Sequence, residues 1–168
     1  DQPRSRGLGD VYKRQGQLIE EYRFANYMVE IGGEVRTKGV NEKGENWKIG
    51  ISAPEGRNLQ KVIAITDMSV ATSGDYQNYK EENGVRYSHL IDPRIGKPIM
   101  HNLASVTVLH QNCRKADALA TAINIMGHEE GYSFALKKEL PIFMIVRDSN
   151  TFIEKMTAQF NEFILERD

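Results

Sequence analysis

Residues 104–108 read Ala-Ser-Val-Thr-Val, and residues 115–127 read Lys-Ala-Asp-Ala-Leu-Ala-Thr-Ala-Ile-Asn-Ile-Met-Gly. The first stretch, continued to residue 110, alternates as a buried strand does. The second predicts the best helix of the chain, over 115–126, with Gly127 as its stop. Along that helix Ala116, Leu119, Ala120, Ile123 and Met126 form one apolar stripe, and Ala118, Ala122 and Ile125 form another. Between them lie Asp117, Thr121, Asn124 and His128, three or four residues apart and therefore on one face. A solvated face normally carries Lys, Glu and Arg, whereas this one carries short oxygen-bearing groups. A carboxylate and a hydroxyl one turn apart are two hard oxygen ligands that suit Mg²⁺, a cation that keeps waters and leans on substrate phosphates. The same residues also fit a plainer reading. Asp117 can complement the positive helix N-terminus and Thr121 can bond back to the backbone. Spacing does not choose between the two.

Outward from this pair, residues 16–25 read as the end of a helix and 27–31 as a strand stopped by Gly32-Gly33. Residues 35–40 are a second extended piece, 41–46 a polar turn and 47–52 the returning strand, which together predict a hairpin with a longer loop. Residues 53–57 form a turn, 62–65 and 69–71 read as strand, and Ser73-Gly74 follows as a turn. Residues 87–91 are short and extended, with His89 inside that strand, until Asp92-Pro93 breaks it. On the C-terminal side come an amphipathic helix at 129–139, a strongly apolar strand at 141–146, a turn at 148–150 and a returning strand at 151–157. Many strands and few helices without regular alternation predict an α+β fold, a single domain with a mixed or antiparallel sheet packed with helices. No internal repeat or low-complexity run is present.

The chain has 168 residues, enough for one domain with a real core, and 40% of them are apolar. Its apolar runs are too short to span a bilayer. With 22 basic and 23 acidic side chains the net charge is −1, which gives no electrostatic reason to expect nucleic acid or an anionic membrane as partner. The single cysteine, Cys113, excludes an intrachain disulfide and any cysteine-based metal cluster. Residues 1–15 are basic, contain glycine and lack an apolar period, and they read as a non-native or disordered leader. The domain is expected over 16–168.

Three polar loops precede the helix. Gly32-Gly33-Glu34 can let backbone approach a ligand, although alone it reads as a β-bulge. Ser73-Gly74-Asp75 offers a hydroxyl, a backbone N–H and a carboxylate, or a plain turn. His89 alone is more often a structural histidine than a catalyst. No glycine-rich phosphate loop, nucleophile elbow or Cys/His zinc spacing occurs. From spacing alone the reading stops at a possible Mg²⁺-phosphate site.

Taken in order, Gly-Gly-Glu (32–34), Ser-Gly-Asp-Tyr (73–76), His-Leu-Ile-Asp-Pro-Arg-Ile-Gly-Lys-Pro (89–98), Ala-Ser-Val-Thr-Val (104–108) and Ala-Asp-Ala-Leu-Ala-Thr-Ala (116–122) resemble the FAD:protein FMN transferase, or ApbE-type, family over residues 16–165. The resemblance implies Mg²⁺-dependent cleavage of FAD at its pyrophosphate, transfer of FMN to a Ser or Thr hydroxyl of a target protein, and departure of AMP. It implies that Asp117 and Thr121 hold Mg²⁺ and serve catalysis. It implies that His89, Ile91 and Asp92, with Pro93, line the flavin-nucleotide site, joined by Gly33, Glu34, Ser73 and Gly74. The partners it implies are FAD and an acceptor protein, such as a subunit of a membrane redox complex. The setting is bacterial and exported, often as a lipoprotein.

The family carries more chain upstream, including a motif with Asp, Gly and Lys that contributes flavin contacts and a further metal ligand. This chain is therefore expected to correspond to the C-terminal part of such an enzyme, with transfer activity of its own that is weak or absent. Ile95 stands where Thr is commoner. Two other functions fit the same residues: a non-catalytic FAD-binding module, and an Mg²⁺-dependent FAD pyrophosphatase.

Overall fold

The computed structural model describes residues 19, 21–54, 59–74, 79–82, 85–149 and 151–165, so the leader at 1–15 lies outside it. Strands β1 (Tyr27–Ile31), β2 (Glu34–Lys38), β3 (Trp47–Ser52), β4 (Leu59–Ile65) and β5 (Ser69–Gly74) come first. Two small hairpins follow, one from β6 (Tyr79–Glu82) and β7 (Val85–Ser88), the other from β8 (Ile91–Asp92) and β9 (Lys97–Pro98). Strand β10 (Leu103–His110) then leads into helix α1 (Cys113–Lys137), followed by β11 (Ile142–Asp148), β12 (Thr151–Met156) and the single turn α2 (Ala158–Asn161). An antiparallel six-stranded sheet in the order β1-β2-β5-β10-β11-β12 carries the molecule, with α1 on one face and the β3–β4 hairpin on the other. This is the expected α+β arrangement.

Why β10 is central follows from its sequence. Leu103 to Leu109 are all buried, because alternate side chains enter two different cores. Val106 and Val108 face α1 with Ala71, Ile142 and Met144. Leu109 faces the β3–β4 hairpin with Val35, Val70, Phe143, Ile145, Ile63 and Ile65. Each fully buried aliphatic side chain contributes about 1.5–3 kcal/mol relative to exposure, so two such layers fix the register of the sheet.

Several sequence expectations are corrected here. Gly32 (φ 64°) and Gly33 (φ 97°) make the two-residue turn of a tight hairpin and not a bulge. That turn gives β2 to β1, and β5 takes the other edge of β2. Strand β3, expected to return onto 35–40, therefore pairs with β4. Ser73 and Gly74 end strand β5, opposite Val106 and Ser105, and do not form a turn. His89 stands in a bend after β7, exposed, and not within a strand. The two expected helices are both present, joined end to end in α1 and separated by a kink at Gly127 (φ 81°, ψ 177°), the expected stop of the first. It begins two residues before Lys115, because Asn112 caps it by accepting the Lys115 N–H at 3.2 Å. Strands 27–31, 62–65, 104–110, 141–146 and 151–157 appear where expected, within a residue or a few at their ends.

Candidate metal and flavin-nucleotide site

The helix face with Asp117 and Thr121 rests over β2 and β5. On the sheet face turned to α1, β5 presents Ser69, Ala71 and Ser73, and β2 presents Glu34 and Arg36. Two contacts set the position of the helix on these strands. Near its start, the buried Cys113 thiol lies beside Ser69, Glu34, Arg36 and Asp117. Farther along, Asn124 Nδ2 donates to Ser73 Oγ at 3.2 Å. Eleven helical residues advance roughly 16 Å and four strand residues roughly 13 Å, so α1 runs nearly along β5 between these marks. Asp117 and Thr121 fall between them along the helix. The small residues Ser69, Ala71, Ala116 and Ala120 permit this close approach of helix and strand.

Asp117 is half-buried, and among the described residues its carboxylate has no ion pair or hydrogen bond. Burial pushes its acid above the usual carboxylate value. Burial likewise pushes the Cys113 thiol up to about 11, helped by the charges of Glu34 and Asp117. A thiol in that state is inert at neutral pH. A desolvated carboxylate without a cation, one turn from a half-buried hydroxyl, fits a hard divalent ion completed by water and phosphate oxygens. No cluster of three or more His, Cys, Asp or Glu side chains suited to a metal occurs among the described residues.

Asp92 is differently placed. It is buried at the base of the β8–β9 hairpin and gripped by Arg94, whose Nε donates at 3.0 Å to Oδ1 and whose Nη2 donates at 2.9 Å to Oδ2. The Arg94 backbone N–H adds a third bond at 2.8 Å. These bonds to Arg94 hold the Asp92 carboxyl below its ordinary value and raise the Arg94 guanidinium. Arg94 Nη1 then reaches Glu130 on α1 at 2.8 Å, so the hairpin is clasped to the helix beyond Gly127. There the His101 ring lies where a Cβ on residue 127 would come within 3.0 Å of it, which the glycine avoids. Asp92 and Asp117 are thus on the same side of the sheet, linked through the Glu130 clasp by a stretch of α1 that is kinked at Gly127. Ile91 is exposed beside this clasp, as is His89 before it.

Gly33 lines a groove of about 370 Å³ on the opposite sheet face, under β3, with Lys48, Val70 and Thr72. Strand β5 therefore serves two sides, since Thr72 enters the groove, bonded to Thr107 at 2.8 Å, while Ser73 meets α1. Glu34 and Ser73 lie on the sheet face turned to α1, and Asp117 and Thr121 on the helix that packs against it. Gly33 lies in the groove on the other sheet face, and Asp92 is held against α1 by the Arg94–Glu130 clasp, with His89 and Ile91 exposed before it in sequence. Sequence reasoning missed Arg94 and Glu130 as the partners of Asp92. It also left Asn124 out of the site, although an amide within an Ala/Ile helix face is a visible signal.

The model of the ApbE family matches residues 9–144. The chain belongs to the ApbE family. This ApbE chain is 48% identical over 148 residues to the FAD:protein FMN transferase of Vibrio cholerae, covering 87% of this chain and 44% of the relative. The FAD:protein FMN transferase of Haemophilus influenzae is 42% identical over 149 residues, covering 87% of this chain and 43% of its own length. Among solved structures, the apo form of the Pseudomonas stutzeri flavinyl transferase ApbE superposes with a TM-score of 0.83 at 37% identity, over 94% of this chain and 49% of that one. The ApbE chain thus spans about half the length of the relatives it matches. No helix among its described residues is long and apolar enough to cross a membrane.

Proposed function

We propose that this chain takes part in Mg²⁺-dependent transfer of FMN from FAD to a Ser or Thr hydroxyl of a target protein. The observation that carries the reading is the half-buried Asp117 carboxylate, which has no hydrogen-bond or ion-pair partner among the described residues and lies one turn from Thr121. Asp117 and Thr121 would hold Mg²⁺, and Glu34, Ser73 and Gly74 would border the bound nucleotide, with Gly33 at the edge. When bound, Mg²⁺ supplies charge neutralisation for a pyrophosphate. In the transfer, the acceptor hydroxyl oxygen bonds to the flavin-side phosphorus, the bond to the bridging oxygen breaks, AMP leaves with that oxygen, and the hydroxyl proton is lost. Asp117 contributes a fixed negative charge and Thr121 a neutral oxygen, both oriented by the helix before substrate arrives. His89, Ile91 and Asp92 are proposed to meet the nucleotide from the β8–β9 end. Asp92 would act there through the orientation that Arg94 imposes. The names of the relatives and the fit of this donor set to a hard cation support the reading. An exported bacterial setting and a redox-complex acceptor belong to the same proposal.

The test is incubation of the chain with FAD, MgCl₂ and an acceptor protein, following AMP release and covalent yellow label. AMP with labelled acceptor supports transfer. AMP with free FMN indicates hydrolysis, and flavin binding without AMP indicates a binding module.

A further inference from the structure

Asn124 is fully buried within α1, in a helix face otherwise built from Ala116, Ala120 and Ile123. Its Nδ2 donates to Ser73 Oγ at 3.2 Å, and its Oδ1, also buried, has no hydrogen-bond partner among the described residues. A buried amide that leaves one of its polar atoms unmade costs stability, so packing alone does not account for it. It sits one turn from Thr121 and two from Asp117 on the same face. A serine hydroxyl has one proton and two lone pairs. Because Ser73 Oγ accepts from Asn124, the Ser73 proton is committed to a different partner. Ser73 thereby becomes a donor whose ligand must be an acceptor. Phosphate oxygens are acceptors without protons at neutral pH, and carboxylates so close to Asp117 would be repelled.

We propose that Asn124 is a positioning residue that orients the Ser73 hydroxyl as a donor to a phosphate oxygen of the bound nucleotide. This rests on the flavin-nucleotide reading above and adds to it the group recognised and the residue that arranges the recognition. Asn124 never touches the ligand. It acts through Ser73, at the expense of the stability lost on its own buried Oδ1.

Two ligand pairs differ by one phosphate: FMN and riboflavin, and AMP and adenosine. Binding of all four to the full chain in MgCl₂, by flavin fluorescence or calorimetry, gives the preference for the phosphorylated member of each pair. The parent is expected to show a preference of about tenfold or more in at least one pair, the size of a hydrogen bond to a charged group. Asn124→Leu, with the same heavy-atom skeleton, is expected to reduce that preference to within about threefold, with a melting temperature at or above the parent's. Ser73→Ala is expected to do the same, and the double variant to go no further, as for groups acting in series. Asn124→Ala, which cannot overpack the helix–sheet contact, serves if the leucine variant fails to fold. A preference left intact in a folded Asn124 variant overturns the proposal, as does full additivity of the two substitutions. A parent chain that binds none of the four ligands overturns the flavin reading, and this inference with it, whereas the first two outcomes overturn this inference alone.

Discussion

The two limbs of α1, before and after Gly127, treat their charges in opposite ways. Beyond the glycine, the carboxylate of Asp92 receives three hydrogen-bond donors from Arg94, and Arg94 is itself shared with Glu130. Before it, the half-buried Asp117 carboxylate and the fully buried Asn124 Oδ1 have no partner among the described residues. The acid of Asp92 is pulled down by its neighbours, and that of Asp117 is pushed up by burial. A satisfied ion-pair cluster fixes the position of a hairpin. An unsatisfied one is a local liability that a bound cation or nucleotide would relieve. The difference sets a satisfied hairpin clasp apart from the face proposed above as a site.

The comparison is broken most severely by removing Asp117. Asp117→Ala is expected to lower Mg²⁺-dependent FAD turnover to below about one-hundredth, the usual scale for loss of one preorganised electrostatic element. The domain is expected to stay folded, which circular dichroism and AMP release together would check. Full turnover by the folded variant would remove the metal from this face. The next largest effect lies at the junction of the limbs. Gly127 adopts φ 81° and ψ 177°, a region held almost only by glycine, and faces the His101 ring. Gly127→Ala is expected to destabilise the chain by about 1–3 kcal/mol in urea unfolding. An unchanged midpoint would mean that the kink is not required.

A smaller effect is expected from opening the clasp. Arg94→Met keeps an apolar stem and removes the fork, freeing the β8–β9 hairpin from Glu130. Hydrogen exchange of residues 91–98 is expected to quicken, with a fall in melting temperature below that of Gly127→Ala, since the Arg94–Glu130 pair is exposed and the backbone N–H of residue 94 still donates to Asp92. Unchanged exchange would show that apolar packing alone holds the hairpin. The smallest effect is a contrast in pH. Asp92 has a depressed acid, so its contribution is present above the ordinary value of 3.8 and lost as pH falls through its folded value. Asp117 has a raised acid, so the folded state is favoured below 3.8 and penalised as pH rises through its higher folded value. Melts between pH 3 and 7 are therefore expected to show Asp92→Asn falling further below the parent as pH rises. Asp117→Asn is expected to climb relative to the parent over the same range. Parallel curves for the two variants would contradict the contrast.

Much of the fold was legible because it is written in period. Residues 104–110 and 141–146 alternate or run apolar, and both are sheet strands buried on two faces. The helix was legible in the spacing of Ala116, Ala120 and Ile123, and its interruption in Gly127. Pairing was not, because partner choice for β3 depends on which edge the Gly32-Gly33 turn has already taken, a long-range competition that no local window contains. The site divided in the same manner. Asp117 and Thr121 were visible as a face of one helix. The engagement of Asp92 by Arg94 and Glu130 required the hairpin to be folded onto α1, and Glu130 is 36 residues from Arg94. The bond between Ser73 and Asn124, 51 residues apart, was hidden for the same reason.

The proposal is that the Asp117 face holds a cation and a nucleotide. Thermal melting of the parent chain and of Asp117→Asn, each alone, with MgCl₂, with FAD and with both, tests it most directly. The parent is expected to gain stability with FAD and Mg²⁺ together beyond the gain with FAD alone. Asp117→Asn is expected to begin at or above the parent's melting temperature at neutral pH and to show no increment from Mg²⁺. An equal Mg²⁺ increment in parent and variant would contradict the account.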